Sequence, residues 1–548
     1  MDIIESFSKN DGKYKFISLA ADCSVHKYFY SILKDSKPID KILMKINTSQ
    51  NIFEEFFDED HIDNSQYDYF KNVLCLFNSN IAYDNDLGII VMECLGKITL
   101  ADVFEQQPPN IDELYRRELD LLVKMQDIKI PPDNIINKRT FGKLAVAKEL
   151  QKYLDGQLLF SSEDKKYLSY HFCELINDAI TNEDRCLCHR DFQSKNIMIK
   201  NNELHIIDVQ DMCIGPCTQD LACALYESKI ILSEDRRNSL MKYFYDQKGL
   251  LTDYDEFCHQ VRILGLFRIL KCIGTHYNYY SKNNQLTSLK RIQDNMIILN
   301  NMKNYFPGIV NTINKYKFRA VILAAGRGSR MGGSIPKALC EINGRPMLYM
   351  VLDKITKLVP DKIIVVVGYK KDLIISALKN YPFNKIKIVE QKELLGTGHA
   401  VMQAVPLLSN SKHCLINFAD NPNIKIESLI GLIQCHVKEN NDITIGTYHG
   451  TMSATKSGRV IRENSIIQKI SEDADSATPS DEFAGGLQIY KTKVLIDNLK
   501  TINNNNKQSE YYLPDAIRYP SKIGNIFIDL SEMINVNTPR EIEFLEKN

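Results

Sequence analysis

RCLCHRDFQSKNIMIK, residues 185–200, decides how the first half of the chain is read, together with ELHIIDVQD at 203–211. His189-x-Asp191-x4-Asn196 is followed, twelve residues after Asn196, by Asp208. Phosphoryl transfer needs a carboxylate to orient an attacking hydroxyl, and oxygen ligands to hold metal on the nucleotide phosphates. Asp191 supplies the first, and Asn196 with Asp208 supply the second as Mg²⁺ ligands. Taken alone, His189 and Asp191 could equally cap a turn, and Asp208 could end an exposed strand. The surrounding order of elements tips the balance.

Upstream, ISLAADCSVHKYFYSILKDSKPIDKILMKIN (17–47) and LGIIVMECL (87–95) carry short apolar or alternating runs broken by turn residues, as strands do. From about residue 98 the period becomes helical, in ITLADVFEQQ, in IDELYRRELDLLVKMQ and after Asp220. This predicts an α+β, protein-kinase-like part: a small β-rich lobe over 1–97 and a helical lobe over 98–311. Residues 312–318 read as a linker. From Arg319 strand-like and helical runs alternate: RAVILAAG, MLYMVLDKITKLV, DKIIVVVGY, DLIISALKNY, KIKIVEQ, HAVMQAVPLL and CLINFAD. That grammar predicts an α/β, Rossmann-like domain over 319–548, a parallel sheet with helices on both faces.

The bulk composition narrows the classes. A chain of 548 residues is too long for one core. With 68 basic and 69 acidic residues the net charge is −1, giving no electrostatic reason to expect nucleic acid or a membrane surface as partner. The 14 cysteines show no paired CxxC spacing, which argues for reduced thiols and a cytoplasmic setting. The first residues carry no basic-then-apolar leader pattern, and KIIVVVGY at 362–369 is far too short to span a bilayer. NNNN at 503–506 reads as a loop tip.

Residues 15–300 resemble the aminoglycoside phosphotransferase and choline kinase superfamily, most closely its anomeric kinases of N-acetylmuramate and N-acetylglucosamine. The likeness runs through ADCSVHKYFYSI (21–32), HRDFQSKNIMI, IIDVQDMCIGPCTQDLACAL (206–225) and LFRILKCIGTHY (266–277). It implies that Ser24 and its neighbours cover the ATP phosphates and that Gln210 and Asp211 lie beside the metal. Asp220 would brace the catalytic loop rather than touch substrate. Lys45, in ILMKIN, stands where the superfamily often carries a phosphate-binding lysine; a surface lysine on a strand edge is the other reading.

The second constellation is LAAGRGSRMGGSIPKAL (323–339), directly after a strand. Its glycines let backbone amides approach an oxyanion, and Arg330 and Lys337 add charge where a triphosphate would sit. A dinucleotide loop is disfavoured, because no acidic residue ends DKIIVVVGY to hold a ribose. Residues 319–540 resemble the sugar-phosphate nucleotidylyltransferases, closely the uridylyltransferase domain that makes UDP-N-acetylglucosamine. The matching stretches are LAAGRGSRM, PKAL, GRPMLYMVLD, VVVGY, EQKELLGTGHAVMQA, FADNP, GRVIRE, QSEYYLPDAI and INVNTP, in that order. The resemblance implies that Ala325, Gly326 and Gly328 cradle the UTP phosphates with Arg330 and Lys337, and that Gln391, Gly396 and Thr397 hold the nucleotide, Gln391 and Gly396 at the uracil. Asp420 and Asn537 would bind Mg²⁺, and Gly458 and Glu472 would face the sugar. Where that family has Asn-Thr-Gly against the N-acetylhexosamine, this chain has Ala484-Gly485-Gly486, so the acceptor is expected to differ. The sequence also holds no hexapeptide-repeat segment, so it is not expected to be the bifunctional acetyltransferase enzyme.

A kinase acting on an anomeric hydroxyl makes a sugar 1-phosphate, and a nucleotidylyltransferase consumes one. The expected function is therefore ATP-dependent sugar phosphorylation followed by transfer from UTP, with Mg²⁺ at both sites. Partners are small-molecule sugars and nucleotides, with no oligomeric state implied. Two alternatives stay open: a choline- or ethanolamine-type kinase fused to a cytidylyltransferase, and one lobe serving only as a binding module.

Overall fold

The computed structural model describes residues 95–181, 184–283, 286–328, 331, 335–381, 383, 385–409, 411–450, 458–472, 480–518, 520–533 and 535–547; before residue 95 it describes the backbone of five strands. The chain divides into two compact units. One comprises Met1–Tyr153, Leu168–Thr275 and Arg291–Phe306; the other comprises Leu154–Tyr167, His276–Lys290 and Pro307–Asn548.

In the first unit, β1 (Lys15–Ser18), β2 (Lys27–Lys34), β3 (Lys37–Ile46), β4 (Ala82–Asp84) and β5 (Ile89–Glu93) form an antiparallel sheet in the order β1-β2-β3-β5-β4. Lys45 lies on β3, opposite Tyr28 on one side and Ile89 on the other. The strand-edge reading of Lys45 is thus corrected: β3 is the central strand, paired on both sides. The helical part follows from the 3.6-residue period. The helix Ile111–Gln126 buries Leu114, Tyr115, Glu118, Leu119, Leu122 and Met125 along one stripe. Two short ladders carry the stretch from 185 to 216: β6 (Arg185–Cys188) pairs with β9 (Cys213–Pro216), and β7 (Ile197–Lys200) with β8 (Glu203–Ile206). Beneath them the helix Thr218–Leu225 is buried on every face.

In the second unit, β10 (Phe318–Ala324) precedes a small hairpin of β11 (Glu341–Ile342) and β12 (Arg345–Pro346). Then come β13 (Lys362–Val367), β14 (Ile386–Glu390), β15 (His413–Phe418), β16 (Ile443–His449), β17 (Arg459–Glu463), β18 (Ile466–Ser471), β19 (Glu482–Lys491) and β20 (Ile523–Phe527). The main sheet runs β14-β13-β10-β15-β19-β16-β20, with β17 paired to β18 and β19. β14, β13, β10 and β15 are parallel, as the alternating grammar predicts. β19 departs from that expectation, pairing antiparallel with both β15 and β16. The run IIVVV of β13 is wholly inaccessible, the mark of a parallel strand covered on both faces. Each such side chain contributes about 1.5–3 kcal/mol relative to exposure.

This topology places the second constellation. Successive strands go from β10 to β13 and β14 on one side, and then to β15 on the other. The loops after β10 and β15 therefore flank the crevice at a topological switch point, where open α/β sheets bind ligands.

Candidate active sites

In the first unit the segment HRDFQSKN leaves β6 and enters β7. Asp220 lies beneath it, accepting from His189 N at 2.6 Å and Arg190 N at 2.8 Å, the bracing role the sequence suggested. His189 Nε2 donates to Ile207 O at 2.8 Å, and Ile207 N donates to Asn196 O at 2.9 Å. These bonds tie the loop to the segment that carries Asp208. Arg190 (φ 69°) and Asp208 (φ 64°) both adopt the left-handed conformation. Side-chain-bearing residues are held there only by a surrounding structure that over-determines them.

Asp191 is enclosed by donors. Arg268 Nη1 lies 3.4 Å from Oδ1, which also accepts from Gln193 Nε2; Asn196 Nδ2 lies 3.1 Å and Lys195 Nζ 3.3 Å from Oδ2. Burial would raise the Asp191 carboxyl, but Arg268, Lys195 and Lys271 outweigh it and hold it well below the usual carboxylate range. Such a group orients a hydroxyl and accepts its proton late. Asn196 spends its amide nitrogen on Asp191, with Asp191 O at 2.9 Å, so its Oδ1 is the atom suited to a metal. Asp208 is exposed. An amide oxygen and a carboxylate are hard donors that suit Mg²⁺, which takes its remaining ligands from phosphates and water.

Several participants escaped the sequence reading. Arg268, on the helix that starts at Tyr254, also donates to Gln193 Oε1 at 2.8 Å. Its only signal was a basic residue inside the apolar run LGLFRIL. Glu149 pairs with Lys271 at 2.7 Å and Arg190 at 3.2 Å. Glu227 is buried and accepts from both Ser194 N (3.1 Å) and Ser194 Oγ (2.8 and 2.9 Å), seating the loop from below. Ser24 lies outside the described residues, as do the side chains of Lys45 and Gln210.

Burial pushes the Asp220 carboxyl up to about 6, against the pull of His189 and the two N–H donors. The folded value lies above the unfolded 3.8, so the fold binds this proton more tightly between about pH 4 and 6. Stability contributed by Asp220 falls as pH rises through that window, and the brace is fully charged only above it. Turnover at this site should therefore decline several-fold from pH 7 to 5. In Asp220→Asn a pH–rate series should show a lower rate without that limb. An unchanged limb near pH 6 in the variant would remove Asp220 from the explanation.

In the second unit, Ala325 is buried and its carbonyl accepts from Tyr369 N at 3.0 Å, closing the end of β10. A Cβ on Gly326 would meet nothing within 4 Å, so the protein's own packing does not demand glycine there. Gly328 has φ +60°, and a Cβ on it would lie 2.7 Å from Lys337 Cβ. Lys337 Nζ donates to Asp420 Oδ2 and, at 2.8 Å, to Asn537 Oδ1. Val536 N donates to Asp420 O at 3.0 Å, joining the two segments by backbone. Asp420 and Asn537, 83 and 200 positions beyond Lys337, thus meet it at one point. Asp420 and Asn537 offer two oxygens that already share one cation, which fits Mg²⁺. Arg330 lies outside the described residues.

Gln391 is buried, and its Nε2 donates to Gly396 O at 2.9 Å and lies 3.1 Å from His399 Nδ1. His399, given no role from sequence, thus orients Gln391. Gly396 has φ +101°, and a Cβ there would come within 2.6 Å of Tyr511 O. Thr397 Oγ1 accepts from Leu513 N at 3.0 Å, and Tyr511 O from Gly398 N at 2.8 Å. Gly458 is tied to Ala484 N through its carbonyl at 2.9 Å, and Ile470 occupies the space of a Cβ, so packing alone accounts for glycine. Glu472 follows β18 and is partly exposed. A Cβ on Gly485 would collide with Met533, and Gly486 (φ +76°) packs on Phe418. No amide side chain stands at 484–486.

Residues 75–257 match the phosphotransferase enzyme family, and residues 320–489 match the MobA-like NTP transferase domain. Among curated proteins, the bifunctional protein GlmU of Thermosipho melanesiensis is 35% identical over 233 residues, covering 42% of this chain and 50% of that protein. GlmU of Gloeothece citriformis is 33% identical over 228 residues, covering 40% and 50%. This chain therefore spans about half the length of the curated relatives it matches. Among solved structures, a UDP-glucose pyrophosphorylase complexed with UDP-glucose aligns at 17% identity and TM-score 0.36, covering 42% of this chain and 97% of that one. A phosphotransferase-family segment is thus followed by a nucleotidyltransferase segment whose matches include GlmU proteins. No helix among the described residues is long and apolar enough to cross a membrane.

Proposed function

We propose that the chain phosphorylates a sugar at its anomeric hydroxyl with ATP, then transfers a uridylyl group from UTP to the sugar 1-phosphate, giving UDP-sugar and pyrophosphate. The lobes assigned are 1–97 and 98–311 for the kinase and 319–548 for the transferase. The observation that carries this reading is the presence of two separately assembled sites, Asp191–Asn196 with Asp208 in one unit and Lys337–Asp420–Asn537 in the other. In the first reaction the anomeric oxygen bonds to the γ-phosphorus, ADP leaves, and Asp191 accepts the hydroxyl proton. In the second, a phosphate oxygen of the sugar 1-phosphate bonds to the α-phosphorus of UTP and pyrophosphate leaves. Asn196 and Asp208 in the first site, and Asp420 and Asn537 in the second, would hold Mg²⁺, which would supply charge neutralisation on the phosphates.

Gln391 supports the choice of base. A carbonyl can only accept, so the bond to Gly396 O commits the Gln391 amide nitrogen and leaves Oε1 as an acceptor. Uracil offers N3–H to such an acceptor, whereas cytosine N3 has no hydrogen. UTP should therefore be preferred over CTP by at least about tenfold, the worth of one mispaired buried hydrogen bond, and we expect the same preference over the larger GTP. The acceptor sugar need not carry an N-acetyl group, since Ala484-Gly485-Gly486 offers it no side-chain amide.

A coupled assay tests the whole reading. The chain is incubated with ATP, each NTP in turn, and a panel of free sugars and amino alcohols, and the products are read by mass. A sugar 1-phosphate and a UDP-sugar are the expected products. Comparable or faster turnover with CTP on a phosphorylated amino alcohol would overturn the uridylyl assignment.

A further inference from the structure

We propose that the Lys337 ammonium and a divalent cation exchange at a single place, the oxygen pair of Asp420 and Asn537, and that the exchange hands Lys337 to the nucleotide phosphates. The proposal rests on the reading of Asp420 and Asn537 as metal ligands. Lys337 Nζ bonds both side-chain oxygens, at 2.8 Å in the case of Asn537. Mg²⁺ binds oxygen at about 2.0–2.1 Å. Two cations drawing on the same two oxygens stand close enough to repel each other, so occupancy by one disfavours the other. The pair carries one negative charge, which Lys337 already neutralises.

The rest of the lysine is placed for the move. Its backbone begins a turn secured by Leu339 N to Pro336 O at 2.9 Å and Cys340 N to Lys337 O at 3.0 Å. Its stem lies against Gly328, where a Cβ would come within 2.7 Å of Lys337 Cβ. That contact sets the near end of the side chain against Gly328, while the far end reaches the oxygen pair. Val536 N to Asp420 O (3.0 Å) joins the two segments that carry these oxygens.

Two consequences follow. Without nucleotide the site is self-neutralised, so a divalent cation binds it weakly. With nucleotide, the phosphates reward both cations, Lys337 gains a new anionic partner, and binding of the two becomes cooperative.

The test is Mn²⁺ binding to the full chain without nucleotide, followed by electron paramagnetic resonance of the free ion. Asp420→Asn identifies which class of sites belongs to the second unit. Lys337→Met, which keeps the stem and removes the charge, should tighten the Asp420-dependent class by about tenfold or more. Lys337→Gln, neutral but still able to hydrogen-bond, should tighten it as well. Adding UTP should tighten Mn²⁺ binding to the unsubstituted chain more than to either variant. Equal or weaker Mn²⁺ affinity in both variants, at a class that Asp420→Asn abolishes, overturns the exchange while leaving the metal assignment intact. If Asp420→Asn removes no Mn²⁺ class even in the Lys337→Met background, both the exchange and the metal assignment fail, whatever the coupled assay yields.

Discussion

Asp191→Asn should lower sugar phosphorylation by about 10²–10⁴-fold, the usual worth of a positioned proton acceptor. Transfer to supplied sugar 1-phosphate should be unchanged. The geometry explains why so small a change should cost so much. Both carboxylate oxygens of Asp191 face donors: Arg268 and Gln193 on one side, Asn196 and Lys195 on the other. An asparagine must turn its own NH₂ group toward one of these sets, so donor meets donor and the side chain rotates away. The variant thus loses the proton acceptor and the orientation together. Initial rates of ADP release, with thermal melting as a check on folding, measure the effect. If both activities fall equally in a folded protein, the assignment of two independent sites is wrong.

Much of this arrangement was legible because it is written locally. The spacing from His189 to Asp208 sets a loop and a hairpin, and the bonds between Ile207 and Asn196 show how that spacing closes. The strands of the second unit stood out because β10, β13 and β15 are apolar on both faces. What stayed hidden depends on long-range packing. Arg268 reaches Asp191 across 77 positions, from a helix whose period gives no hint of a polar target. The antiparallel entry of β19 between β15 and β16 is a choice of partner, to which an alternating pattern is blind. Likewise Leu154–Tyr167 and His276–Lys290 belong to the second unit although each is embedded in the helical stretch before residue 311. Tyr316 Oη donates to Asp164 Oδ2 at 2.5 Å, and Tyr280 Oη to Thr356 Oγ1 at 2.8 Å, contacts that no sequence period announces. The same limit explains His399: its ring matters through Gln391, eight positions earlier and on another element.

Lys337→Ala should depress nucleotidylyl transfer by about 10²–10³-fold, chiefly in turnover rather than in the KM for UTP. One phosphate must attack another, so repulsion grows as the new bond forms. Groups that neutralise the α-phosphate in the transition state therefore count for more than groups that merely hold the substrate. Lys337 is placed to be such a group: its stem lies on Gly328, and its ammonium reaches the oxygens of Asp420 and Asn537. Lys337→Arg should rescue little, because a bulky planar fork does not reproduce the compact point charge of an ammonium. The first reaction draws on Asp191, Asn196 and Asp208 and should run at its normal rate. With ATP, sugar and UTP all present, the alanine variant should therefore consume ATP and accumulate sugar 1-phosphate, visible by phosphorus NMR, while pyrophosphate stays near background. A loss of less than about tenfold, or a parallel fall in ATP consumption by a folded variant, would take Lys337 out of the transfer step.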